Sequence, residues 1–156
     1  MATITPFLWF NDQAEQAMNF YLSIFKDGKV LNLSRYPAGA PLPEGTLMTA
    51  GFVLNGQEFV ALNGGPAFSF NQAVSFVVNC ETQDEVDYYW DKLSEDGQPN
   101  QCGWLADRFG VPWQIVPTAL GRLLGDPDPA RAGRVMQAML QMRKIDIAAL
   151  EQAAAA

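Results

Sequence analysis

Residues 7–28 read FLWFNDQAEQAMNFYLSIFKDG, and residues 76–97 read FVVNCETQDEVDYYWDKLSEDG. Around the first stretch, β-prone residues run from Ile4 to Phe10, and Asn11-Asp12 offers a helix cap. Ala14, Ala17, Met18, Tyr21, Leu22 and Phe25 then recur at the spacing that gathers apolar side chains on one helical face, and Gly28 stands where a helix should stop. Around the second, a β-prone run spans Val74 to Val78 and Thr82 offers the cap. Val86, Tyr89, Trp90 and Leu93 share a helical face, and Gly97 follows as the stop. A single offset of 69 carries Phe7 onto Phe76, Glu15 onto Asp84, Tyr21 onto Trp90, Ile24 onto Leu93 and Gly28 onto Gly97. An ungapped match of this kind predicts an internal duplication.

Outward from each helix come strand signals. In the first half they span Val30 to Tyr36, Thr46 to Leu54 and Glu58 to Asn63, the last two joined by Asn55-Gly56, a strong hairpin signal between alternating runs. In the second half they are Gly103 to Asp107 and Pro112 to Val116, with a turn at Phe109-Gly110. Pro37 to Gly45 is a loop peculiar to the first half, and Gly64-Gly65-Pro66 begins the linker. After Pro117 the pattern turns helical. Asp128-Pro129 is an N-cap followed by a first-turn proline, Ala132, Val135, Met136, Met139 and Leu140 form an apolar face, and a second helix starts near Asp146. The expectation is an α+β protein of two βαβββ modules plus a C-terminal helical extension. It would form a single domain over residues 1–156, with module one at 1–66, module two at 72–117 and the extension at 118–156. The extension cannot bury its apolar face alone, so it must pack on the domain or on a neighbouring subunit.

With 49% hydrophobic and 17% charged residues, the chain has the composition of a packed globule. Its net charge of -7, with only ten basic residues, argues against nucleic acid, whose affinity comes from clustered Lys and Arg. There is no membrane-spanning run and no targeting signal, so a cytoplasmic location is expected. There, Cys80 and Cys102 would be free thiols. The chain has no histidine, which removes Ser-His-Asp and Cys-His catalysis and every His-based metal site. Any chemistry must use carboxylates, thiols, amides, Tyr or Lys.

Two βαβββ modules in a short chain resemble the vicinal oxygen chelate superfamily of glyoxalase I, extradiol dioxygenases and bleomycin- and fosfomycin-resistance proteins. The closer resemblance is to its PhnB-like subgroup, labelled 3-demethylubiquinone-9 3-methyltransferase domain. It is carried by FLWFNDQAEQAMNFYLSIF (Phe7 to Phe25), NGQEFVALNGGP (Asn55 to Pro66), QCGWLADRFGVPWQIVP (Gln101 to Pro117) and RVMQAMLQMRKIDIAALEQA (Arg134 to Ala153). The resemblance implies a homodimer with a small-molecule ligand. It also implies metal ligands on the first strand of each module, commonly His, and on the last strand of each, commonly Glu. Those first-strand positions fall on or beside Pro6 and Val74, and the last-strand positions on Ala61 or Asn63 and on Gln114. An amide oxygen is a feeble metal ligand without charged companions, so no metal or cofactor is expected beyond a weak divalent ion.

The candidate pocket residues are Gln114, Asn63, Trp9, Trp104, Cys102 and Arg108. Period two on the last strand turns Gln114 toward a cleft beside Pro112 and Val116, where it would bond either a ligand or a buried backbone group. Trp9 and Trp104, with Phe7, Phe59 and Phe68, would line an aromatic pocket or fill the core. Cys102 is a nucleophile only beside a base, and none is near in sequence. Arg108, after Asp107, closes a hairpin or binds a carboxylate. The leading expectation is a small-molecule-binding protein without the usual metal site. Two alternatives stand beside it. One is an enzyme on a small polar or aromatic substrate (methyltransferase-, lyase- or dioxygenase-like), with a weak Mg or Mn site or no metal. The other is a structural or regulatory dimer; for the homodimer that the resemblance implies, the apolar face of Met136, Met139 and Leu140 offers a contact. A methyltransferase using S-adenosylmethionine would need a glycine-rich turn after a parallel strand, and the sequence supplies none.

Overall fold

The computed structural model describes all 156 residues, and the chain divides into two compact units, Met1–Ser69 and Phe70–Ala156. The first is built from β1 (Phe7–Phe10), α1 (Ala14–Ile24), β2 (Gly28–Arg35), β3 (Leu47–Leu54) and β4 (Gln57–Asn63). The second is built from β5 (Phe76–Cys80), α2 (Gln83–Ser94), β6 (Gln98–Pro99), β7 (Trp104–Ala106) and β8 (Pro112–Pro117), then α3 (Thr118–Leu124), α4 (Pro129–Leu140) and α5 (Ile147–Ala155). The sheets run β1-β4-β3-β2 and β5-β8-β7-β6, each with a parallel first pair and antiparallel remainder. The same order around the same helix is the duplication expected from the sequence.

In the first unit α1 lies on β3 and β4, burying Ala14, Ala17, Met18, Tyr21 and Ile24. Tyr21 stacks on Phe52 at 6.4 Å and Phe52 on Phe59 at 5.7 Å, so Phe59 belongs to the core. In the second unit α2 buries Val86, Tyr89, Trp90 and Leu93 against β5, β7 and β8. The glycines after the helices serve close packing. A Cβ on Gly28 would sit 2.8 Å from the Val53 carbonyl oxygen, and one on Gly97 would collide with the Ala106 carbonyl oxygen. The two positions are barred to larger residues for one reason, which is why the repeat preserves them.

The offset of 69 holds through the helices and fails at the first strands. Leu8 and Phe10 are buried on the helix-covered face of their sheet, whereas Val77 and Asn79, 69 residues on, are exposed. Burial instead matches Leu8 to Val78 and Phe10 to Cys80, because the link from strand to helix is one residue shorter in the second unit. With period two, that one residue moves Phe7 and Phe76 to opposite faces. Phe7 is 58% exposed, while Phe76 leans on buried Trp113 at 5.5 Å.

Three other local expectations change. Asn11-Asp12 does not cap α1; the first helical N–H, from Ala14, donates to the Asn63 side-chain oxygen at 2.8 Å. The residues of β6 were not picked out, although a βαβββ module calls for a strand there, and α3, whose seven residues lack a capping side chain and include Gly121, was not expected. Thr82, Asp128 and Asp146 do cap α2, α4 and α5 as their residue types predict.

The extension has its own small core of Leu120, Leu123, Val135, Ile145 and Leu150, against which Met139, Met142 and Val116 pack. Met139 therefore turns inward, leaving Met136 and Leu140 exposed on α4. Gln83 ties the extension to α2. Its amide nitrogen donates to the Ile145 carbonyl at 3.0 Å, and its oxygen accepts from the Ile147 N–H at 2.8 Å.

Candidate functional site

On β8, Trp113 and Ile115 are buried on the helix-covered side, which leaves Gln114 half-buried on the other side, where Val116 packs against the core of the extension. In register, Gln114 stands between Val77 of β5 and Trp104 of β7. The Gln114 amide nitrogen donates to the Ser75 hydroxyl at 2.9 Å. Trp104 is fixed by the turn that precedes it. Cys102 and Gly103 have φ of 59° and 83°, and the Trp104 N–H donates to the Gln101 carbonyl at 3.1 Å. These are the marks of a type I′ hairpin turn joining β6 to β7. The extension holds the turn in place: the N–H groups of Cys102 and Gly103 donate to the carbonyls of Met142 and Arg143, each at 2.8 Å. A Cβ on Gly103 would meet the Ile115 carbonyl oxygen at 2.8 Å.

Against this turn lies an open pocket of about 410 Å³ lined by Gln72, Asn100, Gln101 and Trp104. Three carboxamides and an indole face it, and no lining side chain is charged. Trp104 was among the candidates offered by the sequence; Gln72, Asn100 and Gln101 were not. The available signal was Cys102-Gly103 after two polar residues, a tight turn hidden by an unusual first residue.

The other candidates are dispersed. Cys102 is half-buried within the turn itself. Arg108 sits at the next hairpin, with Glu95 at 3.9 Å and Asp96 at 3.7 Å. Asp107, buried beside it, accepts from the N–H groups of Phe109 and Val111 and from the Trp113 indole, at 2.9, 3.0 and 2.9 Å, so its carboxylate organises the hairpin. In the first unit, Trp9 lies on the open side of its sheet, its indole N–H on the Gly65 carbonyl at 2.9 Å and its ring edge-on to Phe68 at 5.0 Å. Asn63 lies on the opposite, helix-covered side and is buried. Its amide caps α1 and donates to the Leu47 carbonyl at 3.2 Å. Its polar atoms are thus occupied inside the unit.

The positions at which metal ligands were expected do not fit a metal. Pro6 and Val74 lie outside the strands and carry no donor atom. Strand register makes Val60, rather than Ala61 or Asn63, the counterpart of Gln114, since Phe7 pairs with Val60 where Val77 pairs with Gln114. No group of three or more Cys, Asp or Glu side chains is placed to hold an ion. Both cysteines are free, and burial first, with Glu85 second, pushes the Cys80 thiol up to about 11. No helix is long and apolar enough to cross a membrane.

The sequence profile of the family described as 3-demethylubiquinone-9 3-methyltransferase matches residues 2–116. A solved structure of the PhnB protein from Bacillus cereus is 40% identical, with a TM-score of 0.69 over 75% of this chain and 100% of that one. Protein PA1353 from Pseudomonas aeruginosa is 21% identical, with a TM-score of 0.62 over 75% of this chain and 98% of that one. The fosfomycin resistance protein FosX from Listeria monocytogenes, solved with Mn(II) and sulfate, is 13% identical, with a TM-score of 0.54 over 78% of this chain and 94% of that one. The last two likenesses concern the fold alone. No curated protein matches the chain.

Proposed function

This chain belongs to the 3-demethylubiquinone-9 3-methyltransferase family, the PhnB-like branch of the glyoxalase superfamily, and from that premise we propose that it is a small-molecule-binding protein. Its ligand sits on the open side of the second sheet, against Trp104 and the carboxamides beside it. The observation that carries this reading is the pocket of about 410 Å³, with an indole and three carboxamides in its lining, beside a turn held by the backbone hydrogen bonds of Cys102, Gly103 and Trp104. Gln114 adds an amide oxygen next to Trp104. On the first unit, Trp9 and Phe68 form an aromatic surface of that unit.

Methyl transfer receives no support from the topology. A dinucleotide-type cofactor site opens at the carboxyl ends of a parallel sheet, after a glycine-rich turn. Each sheet here has one parallel pair. FosX carries Mn(II), but the residues at the expected ligand positions here suit binding without a transition metal.

We read the two units as modules of one domain, acting in the cytoplasm as a homodimer. Supporting the dimer, β2 is an edge strand with Val30, Leu31 and Leu33 each more than 40% exposed. A native mass spectrum of untagged protein prepared without added metal tests these points together. The expected species is a dimer carrying an organic adduct that is lost in Trp104→Ala. A stoichiometric metal ion, or an adduct retained in Trp104→Ala, overturns the reading.

A further inference from the structure

The pocket on the second sheet has a definite chemical character, and resting on the binding reading above, we propose that its ligand is an uncharged, planar heterocycle presenting an amide-like edge. Three observations converge on that class. The Trp104 side chain is half-buried, and its backbone is fixed on both sides of the turn, so its ring is a prepared platform. A flat ring gains about 1–3 kcal/mol by stacking on such a platform. Next, the lining side chains of Gln72, Asn100 and Gln101 make no hydrogen bond within the chain, and each offers both a donor and an acceptor. A carboxamide pairs two-point with an edge carrying adjacent donor and acceptor groups, as in a lactam or nucleobase. Finally, no charged side chain lines the pocket. A carboxylate or ammonium ligand would give up hydration with no counter-charge in return, and a protein of net charge -7 adds repulsion against anions.

A saccharide is the competing class, since it too stacks on indole. It carries hydroxyl groups around its whole circumference, more donors and acceptors than three amides satisfy. Hydrogen-bonding capacity limited to three carboxamides beside a single ring favours the heterocycle.

The test is saturation-transfer NMR and calorimetry on the full chain with three probes: 2-quinolone, a neutral bicyclic lactam; quinoline-2-carboxylate, its charged analogue; and methyl glucoside. The 2-quinolone should bind, about tenfold more tightly than the carboxylate, with the glucoside weaker still. Trp104→Ala should weaken 2-quinolone about tenfold, the scale of one stacking contact. Gln101→Ala, at an exposed turn position, should weaken it several-fold. Trp104→Phe keeps an aromatic ring and should retain most of the affinity, which guards against a misfolded alanine variant. If the carboxylate or glucoside binds as tightly as 2-quinolone and is lost in Trp104→Ala, the ligand class is wrong while the pocket stands. Failure of all three probes to bind also overturns the class. If 2-quinolone binds equally to wild type, Trp104→Ala and Gln101→Ala, the pocket assignment falls as well.

Discussion

Asn63 shows how a polar residue with the credentials of a ligand contact becomes a structural one. Its oxygen receives the orphan N–H at the start of α1, and its nitrogen reaches the Leu47 carbonyl, both in a buried setting. Asn63→Ala leaves a donor and an acceptor unsatisfied and should destabilise the protein by about 1–3 kcal/mol in urea denaturation. A loss below about 0.5 kcal/mol would return Asn63 to the list of ligand contacts. Nothing in the sequence announces this role, because Ala14 and Asn63 lie 49 residues apart and Asn11-Asp12 sits in the usual capping place. The two thiols separate on similar grounds. Cys80 is fully buried and its thiol is held near 11, so at pH 8 iodoacetamide should modify Cys102 and spare Cys80 until denaturant is added. Equal labelling of both in native protein, read by mass spectrometry, would contradict the burial of Cys80.

Elements were legible where local chemistry determined them. The helices α1 and α2 follow their apolar stripes, and the Asn55-Gly56 turn, at φ of 48° and 88°, is the type I′ hairpin its residues predict. Legibility ended where tertiary contact decides. The strand β6 has two residues, one of them proline, and its hairpin turns on Cys102 rather than the usual Asn or Asp. That turn forms because the carbonyls of Met142 and Arg143 supply acceptors from 40 residues further along the chain, a partnership no pattern near Cys102 encodes. The register of β5 slipped by one for a comparable reason: an ungapped match over the helices conceals a one-residue deletion just before α2. Of the proposed pocket, Trp104 was a candidate in the sequence, while Gln72, Asn100 and Gln101 come together only through the fold. Gly103→Ala tests the turn, since the added methyl meets both a left-handed backbone and the Ile115 carbonyl oxygen. The variant should lose about 1–3 kcal/mol, and amide exchange should quicken at Cys102 and Gly103 together with the 142–147 segment. Faster exchange at the turn alone would show that turn and extension are held independently.

At the scale of the molecule, the extension lies beyond the stretch that the family profile matches, although Arg134 to Ala153 was among the segments that suggested the resemblance. The family profile stops at Val116, and three-quarters of this chain covers the whole Bacillus cereus structure. The extension is fastened to α2 partly by charge: Lys144 lies 3.0 Å from Asp87, and within the extension Arg131 lies 3.1 Å from Asp126. Both carboxyls are held below the ordinary value of 3.8. For Asp87 the Gln83 amide is the main cause and Lys144 the next; for Asp126 it is the Asp128 N–H, ahead of Arg131. A carboxyl whose folded value is depressed binds protons more readily when unfolded. Its contribution is therefore complete above about 3.8 and fades as pH falls through the lower, folded value. The Asp87–Lys144 pair is about 40% exposed on each side, so solvent screening limits it to about 0–1 kcal/mol. Gln83 bonds both Asp87 and the backbone on either side of Asp146, which makes acid act on the fastening itself as well as on the ion pair. Urea midpoints measured at pH 5 and pH 3 should fall in wild type, and fall less in Asp87→Asn, which has no charge to lose at that position. An equal fall in both proteins would mean that acid acts elsewhere, leaving the apolar cluster around Val135 and Leu150 to hold the extension without help from this pair.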